Sequence, residues 1–95
     1  MLLTDILDIE HPIIMAPMFL VSNVAMVKEA MKCGIAGCIP ALNYRTLEEL
    51  RAAIKELKAA KVEGGSFGFN LIVNKSNPKA KDQLRVLCEE GCDFI

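Results

Sequence analysis

Apolar and polar positions along the chain repeat one grammar three times. A short apolar block comes first, and a segment with apolar residues at helical spacing follows it. The first block is Pro12-Ile13-Ile14-Met15-Ala16-Pro17-Met18. A continuous apolar run punctuated by proline predicts a strand buried on both faces. The spacing then predicts a helix over 22–33. Ser22 or Asn23 can cap its free amides, Val24, Val27 and Met31 share one face, and Gly34 stands at the left-handed terminating position.

The second block is Gly37-Cys38-Ile39-Pro40-Ala41, and its helix has the clearest start in the chain. Thr46 and Glu49 form a T-x-x-E capping box, in which each side chain satisfies the other residue's backbone amide. Leu47, Leu50, Ile54 and Leu57 make the buried stripe, with Arg51, Lys55 and Lys58 turned away. The third block is Phe67-Gly68-Phe69-Asn70-Leu71-Ile72-Val73, rich in aromatic and β-branched residues that favour strands. Asn77-Pro78 reads as a cap followed by proline at the first helical position. Ala80, Leu84, Leu87 and Cys88 mark the buried face, and Gly91 ends the helix. Cys92-Asp93-Phe94-Ile95 begins a fourth strand.

Strands alternating with helices imply a parallel sheet with right-handed crossovers. The period alone does not separate an open doubly wound sheet from a closed barrel. The first strand-to-helix turn lacks the G-x-G-x-x-G of a dinucleotide-binding half, and there is no P-loop pattern.

The chain has 95 residues, 53% of them hydrophobic and 24% charged. This is the mix of a globular domain rather than a disordered one. The length suits one small domain and is far below the roughly 250 residues of a typical (β/α)8 barrel. A formal net charge of −1 leaves no electrostatic footprint for nucleic acid. The N-terminal MLLTDILDIE carries acids and no base, unlike a secretion signal. The uncharged stretch from His11 to Val27 is broken by prolines and polar residues and is too short to span a membrane. A cytoplasmic location is the default expectation.

The four cysteines, Cys33, Cys38, Cys88 and Cys92, form no C-x-x-C, and the single histidine does not complete a usual zinc set. They read as reduced thiols that pack as small buried residues.

In parallel α/β folds ligands bind at the carboxyl ends of strands. Here that edge offers Ala16-Pro17-Met18, Ala41-Leu42-Asn43 and the segment 70–74, all without charge. Such a surface suits a flat, largely uncharged ring, with a cofactor performing the chemistry. Asn70 lies in an apolar strand, where an unpaired amide is costly, so it must find partners. A structural hydrogen bond to a neighbouring strand and a ligand contact both meet that need. His11 precedes the first strand and so belongs to the opposite end, which serves stability. Lys75 reads as a solvated loop residue.

The run His11-Pro12-Ile13-Ile14-Met15-Ala16-Pro17-Met18, the glycine-containing second strand and Phe67-Gly68-Phe69-Asn70-Leu71 resemble the start of the nitronate monooxygenase family, formerly called 2-nitropropane dioxygenases. The likeness runs in order through essentially the whole chain. It implies the N-terminal part of a TIM (β/α)8 barrel, about three and a half βα units, that binds FMN non-covalently. The implied activity is oxidation of alkyl nitronates with molecular oxygen. Related flavin-dependent enoyl-acyl-carrier-protein reductases share this N-terminal pattern, and an IMP dehydrogenase-like barrel is a further alternative. By this resemblance Ala16, Pro17 and Met18 lie along the flavin and Asn70 hydrogen-bonds it.

The sequence departs from the family pattern at two places. Met15 stands where many members have glutamine, and Phe19-Leu20 where many have glycines that let the backbone approach a ligand. The family's catalytic histidine and glycine-rich phosphate-binding segments have no counterpart here, so the resemblance implies a chain that supplies part of a flavin site without a base. Ending on an apolar strand, it reads as a piece of a longer barrel; a non-catalytic short product is the opposing reading. Open sheet edges would invite association with other segments or with a second copy.

Overall fold

A computed structural model describes residues 1–95. The elements run α1 (Leu3–Leu7), β1 (Ile14–Met15), α2 (Val24–Lys32), β2 (Ala36–Pro40), a 3-10 turn (Ala41–Asn43), α3 (Leu47–Ala59), β3 (Ser66–Asn70) and α4 (Ala80–Glu90). The strands form one parallel sheet in the order β1-β2-β3. Ile14 aligns with Ala36 and Ala36 with Ser66, and at the far end Pro40 aligns with Asn70. The start of the fourth strand is present as a parallel bridge between Gly68 and Phe94. It is secured by Asp93 N–H donating to Phe67 O at 3.0 Å and Phe69 N–H to Phe94 O at 3.3 Å.

The strand order and the placement of the helices settle what the period left open. Ile39, Phe67 and Phe69 project from one face of the sheet into a single core with Val27 and Met31 of α2, Leu50, Ile54 and Leu57 of α3, and Val86 and Leu87 of α4. All three long helices therefore cover the same face. A doubly wound sheet reverses its strand order and carries helices on both faces; consecutive order with helices on one face is how a barrel is wound. Phe67 and Phe69 meet edge to face, with centroids 6.5 Å apart and planes at 84°, a pairing favoured by the ring quadrupoles. The opposite face carries small residues, Ala36, Cys38, Ser66 and Gly68, with Phe94 lying over Gly68.

Several expectations need correction. The first strand is only Ile14–Met15 and is not buried on both faces. Ile13 and Ile14 are exposed because β1 is an edge strand with one hydrogen-bonded neighbour. Prolines at 12 and 17 bring no N–H to extend the ladder. The third strand stops at Asn70, and 71–73 lie outside the sheet.

Asn23, rather than Ser22, caps α2 by accepting from Met26 N–H. Thr46 caps α3 through Glu49 N–H at 3.1 Å, but the Glu49 carboxylate reaches back one residue further than the box requires, to Arg45 N–H at 3.2 Å. Asn77 accepts from Lys79 N–H in a turn through Pro78, and α4 begins only at Ala80.

The buried face of α4 is Gln83, Val86 and Leu87, while Leu84 and Cys88 are exposed. Two polar contacts set this rotation. Arg51 of α3 forms ion pairs with Glu89 and Glu90 at 2.6 and 2.7 Å, and buried Gln83 accepts from Asn77 Nδ2 at 3.0 Å. The cysteines are all free thiols, yet only Cys38 is buried. Cys33 caps the end of α2 and Cys88 sits on the outer face of α4, which leaves both open to solvent.

Candidate functional site at the strand tips

Parallel pairing places every strand's carboxyl end on one side. Ala16, Pro17 and Met18 follow β1, Ala41–Asn43 follow β2 through the 3-10 turn, and Asn70 closes β3. The two groups of sequence-predicted residues, Ala16-Pro17-Met18 and Asn70, therefore share one end of the sheet, as the resemblance requires. His11 sits at the other end, exposed, its backbone N–H donating to Gly34 O at 3.0 Å.

Asn70 differs from its sequence reading in a way that matters. It is the last residue of β3, its side chain is exposed, and it takes part in none of the chain's side-chain hydrogen bonds. The structural alternative, a bond to a neighbouring strand, is not what the fold makes. The amide keeps two donors and one acceptor oxygen free at a strand tip.

The segment after β1 is more ordered than its composition suggests. Met18 N–H donates to Ser22 Oγ at 2.7 Å, and Ser22 Oγ–H in turn donates to Ala16 O at 3.4 Å. Ser22 is 2% exposed. Val21 and Ser22 N–H both donate to Met18 O, at 3.0 and 2.9 Å. The first of these closes a β-turn over Met18–Val21 whose third residue, Leu20, has φ +61°. That position ordinarily carries glycine when its φ is positive. Leu20 thus holds the backbone shape that the expected glycine would give, while adding a side chain.

Asn43 pins this turn from the neighbouring unit, accepting from Leu20 N–H at 2.9 Å and donating to Ser22 O at 2.8 Å. Sequence reasoning placed Asn43 at the edge without assigning it a role. Its only signal was an amide directly after an apolar strand.

With Met18 N–H and O both engaged inside the loop, the Ala16-Pro17-Met18 element offers the exposed Ala16 and Met18 side chains outward, Met18 being 57% exposed, while Pro17 is half-buried. Phe19, Leu20 and Val21 are exposed beside it. The tips of the strands thus combine an apolar wall, one free carboxamide and no formal charge from 16 to 23, 41 to 44 and 70 to 74. Nearby, Tyr44 is half-buried, and burial first, then the Glu56 carboxylate, push its phenol above its usual value. Burial likewise raises the Cys38 thiol on β2.

No protein-family profile matches the chain. Over 89 residues it is 32% identical to a Mycobacterium tuberculosis protein named (3aS,4S,5R,7aS)-5-hydroxy-7a-methyl-1-oxo-octahydro-1H-indene-4-carboxyl-CoA dehydrogenase, a match covering 94% of this chain and 24% of that protein. Its structure superimposes on that of FabK from Thermotoga maritima with a TM-score of 0.77 and 32% identity, over 93% of this chain and 27% of the other. The chain spans about a quarter of the length of each. Together with the consecutive parallel order and the one-sided helices, this defines the fold as the N-terminal part of a TIM (β/α)8 barrel. No helix is long and apolar enough to cross a membrane.

Proposed function

We propose that this chain forms one side of the FMN site of a flavin-dependent oxidoreductase, with Ala16, Pro17, Met18 and Asn70 as the residues that hold the cofactor. The observation that carries the reading is the free Asn70 carboxamide, placed at the same sheet end as the exposed Met18. The fit to a flavin is chemical. An uncharged ring needs an apolar wall, and its pyrimidine edge needs a group that both donates and accepts, which a carboxamide is. FMN, when bound, supplies the electron-transfer chemistry; the residues of this chain bind and orient it and shield one face from water.

Within that class the resemblance of His11–Met18 and Phe67–Leu71 favours a nitronate monooxygenase-like activity, oxidation of an alkyl nitronate with molecular oxygen. A second reading, oxidation or reduction of an acyl thioester by a flavin enzyme, is favoured by the likeness to a carboxyl-CoA dehydrogenase.

Titration of the purified protein with FMN, followed by quenching of flavin fluorescence, tests the shared part. Saturable binding that weakens in Asn70→Ala while the circular dichroism is unchanged supports it. No binding, or binding indifferent to Asn70, overturns it. Oxygen uptake on adding an alkyl nitronate, against anaerobic turnover of an acyl-CoA, separates the two activities.

A further inference from the structure

We propose that Asn43 is a positioning residue for this site: its carboxamide clamps the turn Met18–Val21 so that the loop meets the cofactor in one preformed shape. The inference rests on the flavin reading above and extends it to a residue that contacts the loop rather than the cofactor.

The argument begins with an energetic conflict. A residue with a Cβ is strained in the left-handed region, and Leu20 adopts that region at φ +61° while 73% exposed. Its side chain gains little from burial to offset the cost. Such conformations persist only where the surroundings over-determine them.

Here the surroundings are three bonds that converge on the turn. Leu20 N–H donates to Asn43 Oδ1 at 2.9 Å, Asn43 Nδ2 donates to Ser22 O at 2.8 Å, and Ser22 Oγ accepts from Met18 N–H at 2.7 Å. One carboxamide thus holds the turn on both sides of Val21, from a residue 23 positions away from Leu20 in sequence. Asn43 itself is fixed by the 3-10 turn Ala41–Asn43 that continues β2. The clamp therefore transmits the position of the second strand to the loop of the first. A loop already in its bound shape loses less freedom when a ligand arrives, so a preformed turn raises affinity without touching the ligand more tightly.

The test uses the full chain and compares wild type, Asn43→Ala, Asn43→Asp and the double variant Asn43→Ala/Leu20→Gly. Two readouts are taken: FMN affinity by fluorescence quenching, and the φ-sensitive backbone coupling and amide exchange of residue 20 by NMR. Asn43→Ala is expected to weaken FMN binding about tenfold and to shift residue 20 out of the left-handed region. Adding Leu20→Gly is expected to restore affinity to within about threefold of wild type, because glycine visits that region without penalty. A merely structural asparagine would not be rescued by a glycine elsewhere.

Asn43→Asp keeps the acceptor for Leu20 N–H but loses the donor to Ser22 O, and serves if the alanine variant fails to fold; it is expected to weaken FMN binding about threefold or more. Wild-type binding of FMN that Asn43→Ala leaves unchanged overturns the clamp alone, as does a double variant that shows no recovery. If Asn43→Ala does not fold, an Asn43→Asp protein that binds FMN as tightly as wild type overturns it. A wild type that binds no FMN overturns the flavin reading, and an unshifted residue 20 in Asn43→Ala still shows separately that the clamp is absent.

Discussion

The ring of Phe94 lies directly on Gly68: a Cβ built at Gly68 would sit 2.5 Å from two ring carbons of Phe94. The glycine in the third strand is therefore a packing requirement imposed by the fourth. Gly68→Ala is expected to destabilise the chain by about 1–3 kcal/mol, the usual range for overpacking a filled site. The urea midpoint measures it. Phe94→Ala should remove much of the added penalty, so that the two changes are strongly non-additive.

Leu20 offers the opposite case. Replacing it with glycine relieves the left-handed strain at the expense of a more flexible unfolded chain. The net expectation is a gain of about 0.5–1 kcal/mol, read as a higher midpoint in the same denaturation experiment. A loss of stability would mean that the exposed leucine side chain makes a contact worth more than the strain.

The start of α4 depends on one buried asparagine. Asn77 is 6% exposed, accepts from Lys79 N–H, and donates both to Ile72 O at 2.8 Å and to Gln83 Oε1 at 3.0 Å. Asn77→Ala removes the turn's acceptor and strands Gln83 without its donor. A cost of about 2–3 kcal/mol is expected. Amide exchange should rise first at Lys79 and Ala80 if the helix start frays.

Thiol reactivity should divide the cysteines in two. Cys33 and Cys88 are exposed and should react with a disulfide reagent in the native state, whereas Cys38 and Cys92 should react only on unfolding. Burial, outweighing its hydrogen bond, pushes the Cys92 thiol from 9.0 to about 11. The folded state thus favours the protonated thiol. Its contribution to stability is complete below pH 9, where both states are protonated, and declines as pH rises towards 11 because the unfolded chain ionises first. Thermal unfolding across that window should show a falling midpoint, and Cys92→Ala should flatten part of the fall.

How much of this was legible in the sequence follows from what pattern encodes. The alternation of strands and helices, the stripes Val27–Met31 and Leu50–Ile54–Leu57, the Thr46 cap and the left-handed Gly34 and Gly91 were readable because each is a local or periodic signal. So was the shared edge of Met18 and Asn70, which follows from parallel pairing alone. The rotation of α4 was not readable. Hydropathy assigned Leu84 and Cys88 to the core, while the Arg51 ion pairs and the Asn77–Gln83 bond turned a glutamine inward instead. The Asn43 clamp was equally hidden, since it joins residues more than twenty positions apart and leaves no period. The freedom of Asn70 was misjudged because a residue in an apolar run reads as interior, whereas the strand ends at it.

At the end of the sheet away from the strand tips, Glu10 N–H is shared between Gly34 O at 3.0 Å and Gly64 O at 3.1 Å. One amide thereby fastens the connections that lead into the second and third strands, and a side chain at either glycine would collide with Glu10. The base of the sheet and the loops at its tips are thus held by separate sets of bonds. A change in the tip loops therefore leaves the staple at the base untouched, the separation by which a parallel α/β scaffold carries different loops on one frame.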